Sequence, residues 1–174
     1  GYEALANWAE ITAMHDSGVI DFQSHSNGHE LIFTSSAIIG FLSPQSLARY
    51  HEFEFPRECF AQDIKNRGMP FGRPLYTTAP RMSDELRYID DTGLMQACVG
   101  YVGAEGEDLF EQQGWQGLLS KVVAQDKKGH PSESHFETRD EQKEASYQDL
   151  QSSKLEIEKR LHGKTVRSLC FHIH

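Results

Sequence analysis

The chain is short of cysteine, of basic residues and of long apolar runs, and each shortage excludes something. Its three cysteines, Cys59, Cys98 and Cys170, lie far apart with no Cys-x-x-Cys pair. A disulfide framework or a zinc knuckle is therefore excluded, and buried free thiols are expected. Seventeen basic residues face 26 acidic ones, a net charge of −9. Such a surface repels nucleic-acid phosphates and anionic membranes, so neither is expected as a partner. The longest apolar run, Ala37 to Leu42, has the length of a strand or a short helix. A membrane span needs roughly 20 residues, so none is expected. Gly-x-Ser-x-Gly is missing, which sets aside a serine hydrolase with a nucleophile elbow. No initiator Met or signal-peptide pattern opens the chain, and it stops on an apolar strand pattern. Both ends are expected to be cut from something longer.

What is present points to an α/β chain. The 174 residues, 38% of them hydrophobic, suffice for one ordinary domain with a real core. Asn7 and Glu10 have the spacing of a capping box, and Trp8, Ile11 and Met14 follow as an apolar stripe. A helix is predicted over 7–17, stopped at Gly18, with a strand from Val19 to Ser24. A second helix is predicted over 139–161, opened by Thr138 and Glu141. Leu150, Ile157 and Leu161 mark its buried face, and Lys154 pairs with Glu158. His162-Gly163 ends it, and Val166 to Ile173 reads as a second strand.

Between these units lies a different stretch. All six prolines and ten of the fourteen glycines fall in residues 30–136. The composition predicts a loop-rich insertion or lid, helical only at Asp91–Val102 and Trp115–Val123. The expected organisation is thus residues 1–29 and 137–174 as the core, with 30–136 inserted. Phe53, Phe55, Phe60, Phe71 and Tyr76 could stack on sugars or form a small satellite core. His130 and His135 flank a polar loop and are expected to be solvated. His172 and His174 share one face of the last strand, as extra ligands or as an exposed end.

His25 and His29 stand four residues apart where the first strand gives way to a loop. Two imidazoles at that spacing can close on one metal ion if the loop coils tightly. On spacing alone, a polar turn with no metal is the favoured reading. The context adds to the motif. Trp8 in a helix, Gly18 at its end, then His25-Ser26-Asn27-Gly28-His29 and Leu31 resemble the NodB-type polysaccharide deacetylases, carbohydrate esterase family 4. Ser153-Lys154, Leu155-Glu156, Gly163-Lys164 and Val166-Arg167-Ser168-Leu169 resemble a later segment of that family. The likeness covers roughly 65 of the 174 residues.

The resemblance implies part of a deformed (β/α) barrel and a hydrolase acting on carbon–nitrogen bonds other than peptide bonds. It removes N- or O-acetyl groups from an acetylated oligo- or polysaccharide. It implies Zn2+, or another divalent metal, on His25 and His29. A carboxylate base and a histidine acid would complete the chemistry. The family's Asp-Asp pair, which gives a third ligand and the base, would fall before residue 7. Asp16 and Asp21 stand in other contexts. Where the family carries an aromatic-Arg-Tyr-Pro-like run, this chain reads Leu169-Cys170-Phe171-His172. Two ligands alone hold zinc weakly, so little turnover is expected from this chain by itself. The alternative is a carbohydrate-binding or scaffold module that keeps the fold and has lost the chemistry. Missing barrel strands would leave open edges that invite pairing with another chain.

Overall fold

A computed structural model describes residues 6–28, 30–49, 55–56, 59 and 69–168. The chain divides into two compact units, Gly1–His29 with Lys143–His174, and Glu30–Gln142.

In the first unit, helix α1 spans Trp8–Asp16. Its start is a reciprocal cap. The Asn7 side-chain oxygen accepts from the Ala9 and Glu10 amides at 2.9 and 3.1 Å. The Glu10 carboxylate accepts from the Asn7 amide at 2.8 Å. These bonds satisfy amides that have no partner within the first helical turn. Gly18, at φ +71, carries the chain out of the helix.

The strand expected over Val19–Ser24 does not form. Residues 19–23 belong to no strand, and Ser24 makes only an isolated bridge. Alternation of Ile20 and Phe22 is a local signal, whereas a strand exists only through a partner's hydrogen bonds. Val19 is accordingly 84% exposed. Of the second expected strand, residues 166–168 belong to no strand. Residues 169–174 lie outside the described residues, Cys170, His172 and His174 among them.

Helix α5, Arg139–Arg160, opens on the Thr138–Glu141 box. The Glu141 carboxylate accepts from the Thr138 amide at 2.7 Å, and the Thr138 hydroxyl accepts from the Glu141 amide at 3.2 Å. Lys154 and Glu158 pair at 3.2 Å. Leu161 is fully buried beyond the helix end. The Arg160 guanidinium lies 4.4 Å from the centre of the Trp8 ring, so α1 and α5 meet through a cation–π contact.

The second unit is more regular than its composition suggests. It carries β1 (Leu31–Phe41), α2 (Pro44–Arg49), β2 (Pro74–Pro80) and β3 (Tyr88–Ile89). Then follow α3 (Thr92–Glu105), a 3₁₀ turn at Glu107–Glu111, α4 (Trp115–Gly129) and β4 (His135–Phe136). Strands β1 and β2 pair antiparallel, from Leu31 opposite Pro80 to Phe41 opposite Pro74. Prolines bound β2 rather than break it, since the ends of a strand in a two-stranded sheet tolerate a missing N–H. β3 pairs with β4. Among the described residues these two small sheets form no closed barrel.

Two apolar clusters hold the unit together. One packs Phe41 against Leu94, Cys98 and Val102 of α3 and Leu119 of α4. The other gathers Phe33, Leu42, Phe55, Cys59, Tyr76 and Tyr88. Phe55 and Tyr76 are thus core residues, and Phe71 packs partly against both clusters. Phe53 and Phe60 lie outside the described residues. The ends of the unit converge on one short segment. The Arg81 amide donates to the Glu30 carbonyl at 2.8 Å. The Gln142 side-chain amide donates to the carbonyls of Ser83 and Glu85 at 3.3 and 2.8 Å.

Asp91 caps α3, its carboxylate accepting from Gly93 and Leu94 at 2.9 and 3.1 Å. It also accepts from the Glu133 amide at 3.0 Å. Burial alone would raise its pKa. The hydrogen bonds from Leu94, Glu133, Ser132 and Gly93 outweigh burial and hold it below the usual carboxylate value. A carboxyl whose folded pKa is depressed adds stability above its unfolded pKa, and that stability is lost as pH falls through the folded value. Asp91→Asn should therefore flatten the acid limb of the stability curve below about pH 4. Urea midpoints measured from pH 6 to pH 2.5 check this; parallel curves for the two proteins would contradict it.

Candidate functional site

His25 sits in the coil after α1, half-buried. Ser26 has φ +70, the one positive φ outside glycine among the described residues. That conformation is sterically costly for a residue with a Cβ. The chain then bends through Asn27 and Gly28. His29 lies outside the described residues.

Segments far apart in sequence fix this turn. The Ser24 and Ser153 hydroxyls share a buried 2.6 Å hydrogen bond across 129 residues. The Asn27 amide donates to both carboxylate oxygens of Asp149, at 3.3 and 3.2 Å. The Gln23 side-chain oxygen accepts from the amides of Arg167 and Ser168, each at 3.1 Å. Its nitrogen donates to Asp21 at 2.6 Å. The Lys164 ammonium bonds to the other Asp21 oxygen. Lys164 first, then Gln23, holds the Asp21 carboxyl below its usual range. Below this network, the Val166 amide donates to Glu158 at 2.9 Å and the Lys154 ammonium to the Val166 carbonyl at 3.2 Å. The Val166 amide, then Lys154, lowers the Glu158 pKa.

The structure thus joins the two stretches on which the family resemblance rests. Ser153, of the Ser-Lys pair, meets the residue just before His25. Sequence reasoning missed Asp149 and Gln23. Ser153 carried a signal through the resemblance; Asp149 carried none, since nothing local to α5 marks it.

Other candidates are not brought together. His130 and His135 are exposed, as expected of a polar loop. His15 and His162 belong to a structural contact, the His15 Nε2 lying 3.3 Å from the His162 carbonyl. Cys98 is buried, and burial, followed by the Asp126 charge, pushes its thiol up to about 11. It stays protonated and unreactive at neutral pH. A groove of about 360 Å³ runs between residues 36–41 of β1 and α4, where Gln116, Ser120, Val123 and Lys127 line it. Among the described residues its lining holds no carboxylate, imidazole or thiol, so it has no acid–base pair to offer.

Among the described residues, no three His, Cys, Asp or Glu side chains gather as a metal cluster. Of the two expected ligands, His25 alone lies among the described residues. Its imidazole nitrogen is a donor of the type that zinc takes. Among the described residues, no helix is long and apolar enough to cross a membrane. No protein-family model, curated protein or solved structure matches the chain.

Proposed function

We propose that this chain is part of a metal-dependent polysaccharide deacetylase of the NodB type, with Zn2+ or another divalent ion held by His25 and His29. The substrate class is an acetylated oligo- or polysaccharide, and residues 1–29 and 143–174 would contribute to the deformed barrel of that family. One observation carries the reading. The His25 turn and the Ser153 helix segment, the two regions that resemble the family, are bonded to each other by the buried Ser24–Ser153 hydrogen bond. A chance likeness of two short motifs gives no reason for them to meet in space.

When bound, the metal supplies Lewis acidity toward the acetyl carbonyl and the attacking water. The chain's own part is to bind and orient. His25 would offer a ring nitrogen as a ligand. The bonds of Ser24, Gln23 and Asn27 hold the turn against the cost of Ser26's left-handed backbone.

Zinc titration of the purified chain, beside His25→Ala and His29→Ala, tests the reading. We expect about one ion per chain, lost in both variants, with little or no hydrolysis of chitin oligomers by the chain alone. Binding that ignores both substitutions would make the histidines turn residues and leave a carbohydrate-binding module as the better account.

A further inference from the structure

We infer that Asp149 and Ser153 of α5 are positioning residues that hold the turn presenting His25 to the metal. This inference rests on the metal-site reading above. Three observations converge on it. Ser26, directly after His25, is held at φ +70, a conformation its side chain disfavours. The first amide beyond it, that of Asn27, donates to both oxygens of the Asp149 carboxylate. The residue just before His25 is pinned from the same helix by a hydroxyl pair, with Ser24 and Ser153 only 3% and 6% exposed.

The spacing on the helix suits the task. Asp149 and Ser153 are four residues apart, so they stand on one face of α5, one turn from each other. Ser24 and Asn27, which they grip, bracket His25 and Ser26. One helical turn therefore clamps both ends of a short strained segment that carries His25. Asp149 makes no ion pair among the described residues; its carboxylate is spent on a backbone amide. The amide is shared between two charged oxygens at 3.3 and 3.2 Å, a long contact whose use is to hold backbone where it would not otherwise stay.

Metal affinity reads this role, because a misaimed ligand weakens binding without abolishing the site. Groups that orient a ligand typically cost about 10–100-fold in affinity when removed. Asp149→Ala should weaken zinc binding roughly tenfold or more, and Ser153→Ala should weaken it too. Asp149→Asn should stay near wild type, since its amide oxygen still accepts from Asn27. Adding Ser26→Gly to Asp149→Ala should restore affinity, because glycine adopts positive φ without help. A merely structural role would lower the unfolding midpoint while leaving zinc affinity of the folded protein unchanged.

The experiment is zinc titration by calorimetry on these variants, with thermal melts run in parallel to confirm folding. Loss in Asp149→Ala with recovery in Asp149→Asn and in the Ser26→Gly double variant supports the inference. Should Asp149→Ala fail to fold, Ser153→Ala decides by the same readout. Wild-type binding with undiminished affinity in Asp149→Ala or, in its place, Ser153→Ala overturns the inference and leaves the metal reading standing. Wild-type protein that binds no zinc overturns both.

Discussion

Glu137→Ala is expected to destabilise the 30–142 unit by about 3–5 kcal/mol, because it breaks a buried ion pair from one side. The Arg81 guanidinium donates from one nitrogen to both Glu137 oxygens, at 2.6 and 2.8 Å. The two side chains are 8% and 5% exposed. The Arg87 amide donates to the same carboxylate at 2.8 Å, and the Glu137 amide returns a bond to the Arg87 carbonyl at 2.9 Å. Removing the carboxylate strands a guanidinium charge away from water and takes away the acceptor of the Arg87 amide at once. The same charge chemistry at the surface should matter far less. Arg139 and Asp84 pair at 2.8 Å but are 53% and 98% exposed. Arg139→Ala should therefore cost less than about 1 kcal/mol through that pair. Urea unfolding with unchanged m-value measures both. A Glu137→Ala loss as small as the Arg139→Ala loss would show that water reaches the Arg81 pair.

Gly72→Ala should cost about 2–5 kcal/mol, from two independent sources. Gly72 has φ +91, where a Cβ carries a penalty of about 1–2 kcal/mol. A Cβ built there would also stand 2.6 Å from Val102 Cγ2 and 2.9 Å from the Cys98 carbonyl oxygen. The valine methyl could rotate away; the carbonyl belongs to the backbone of α3 and cannot. Overpacking of this kind adds about 1–3 kcal/mol. The close approach has a purpose in the fold. The Gly72 amide donates to the Leu42 carbonyl at 2.8 Å, and the Leu42 amide to the Arg73 carbonyl at 2.8 Å, so the turn lays the start of β2 onto the end of β1. Gly114 serves as the control. Its φ is +81, yet a Cβ there meets nothing within 4 Å. Gly114→Ala should show the backbone penalty alone, and thermal melts of the two variants should differ by the packing cost. Equal shifts would mean that α3 gives way.

Helix starts were legible because their signals are local. Asn7 with Glu10, and Thr138 with Glu141, bond as their spacing predicts, and the helix expected from Asp91 starts at Thr92 with Asp91 as its cap. The strands were not. Val19–Ser24 alternates well but finds no ladder, whereas β2 forms between two prolines that read as breakers. Strand formation depends on a partner elsewhere in the chain, and no window of residues contains it. The candidate site divides in the same way. His25 stands out by its motif, while Asp149, which grips the turn from 122 residues away, does not. A carboxylate on a polar helix looks like a solvated face until its acceptor role is seen.

The convergence of Glu30 and Gln142 on the segment Arg81–Glu85 bears on the order in which the chain folds. The contact between Ser24 and Ser153 closes a very long loop while the intervening chain is unfolded. Once the 30–142 unit has folded, its two ends are already neighbours, and the loop left to close is residues 25–29 and 143–152. About three doublings of loop length separate these cases, each about 0.6 kcal/mol, or about 2 kcal/mol in all. The inserted unit thus acts as an entropic staple for the segments on either side of it. The His25 turn would assemble last, after the segment that interrupts it.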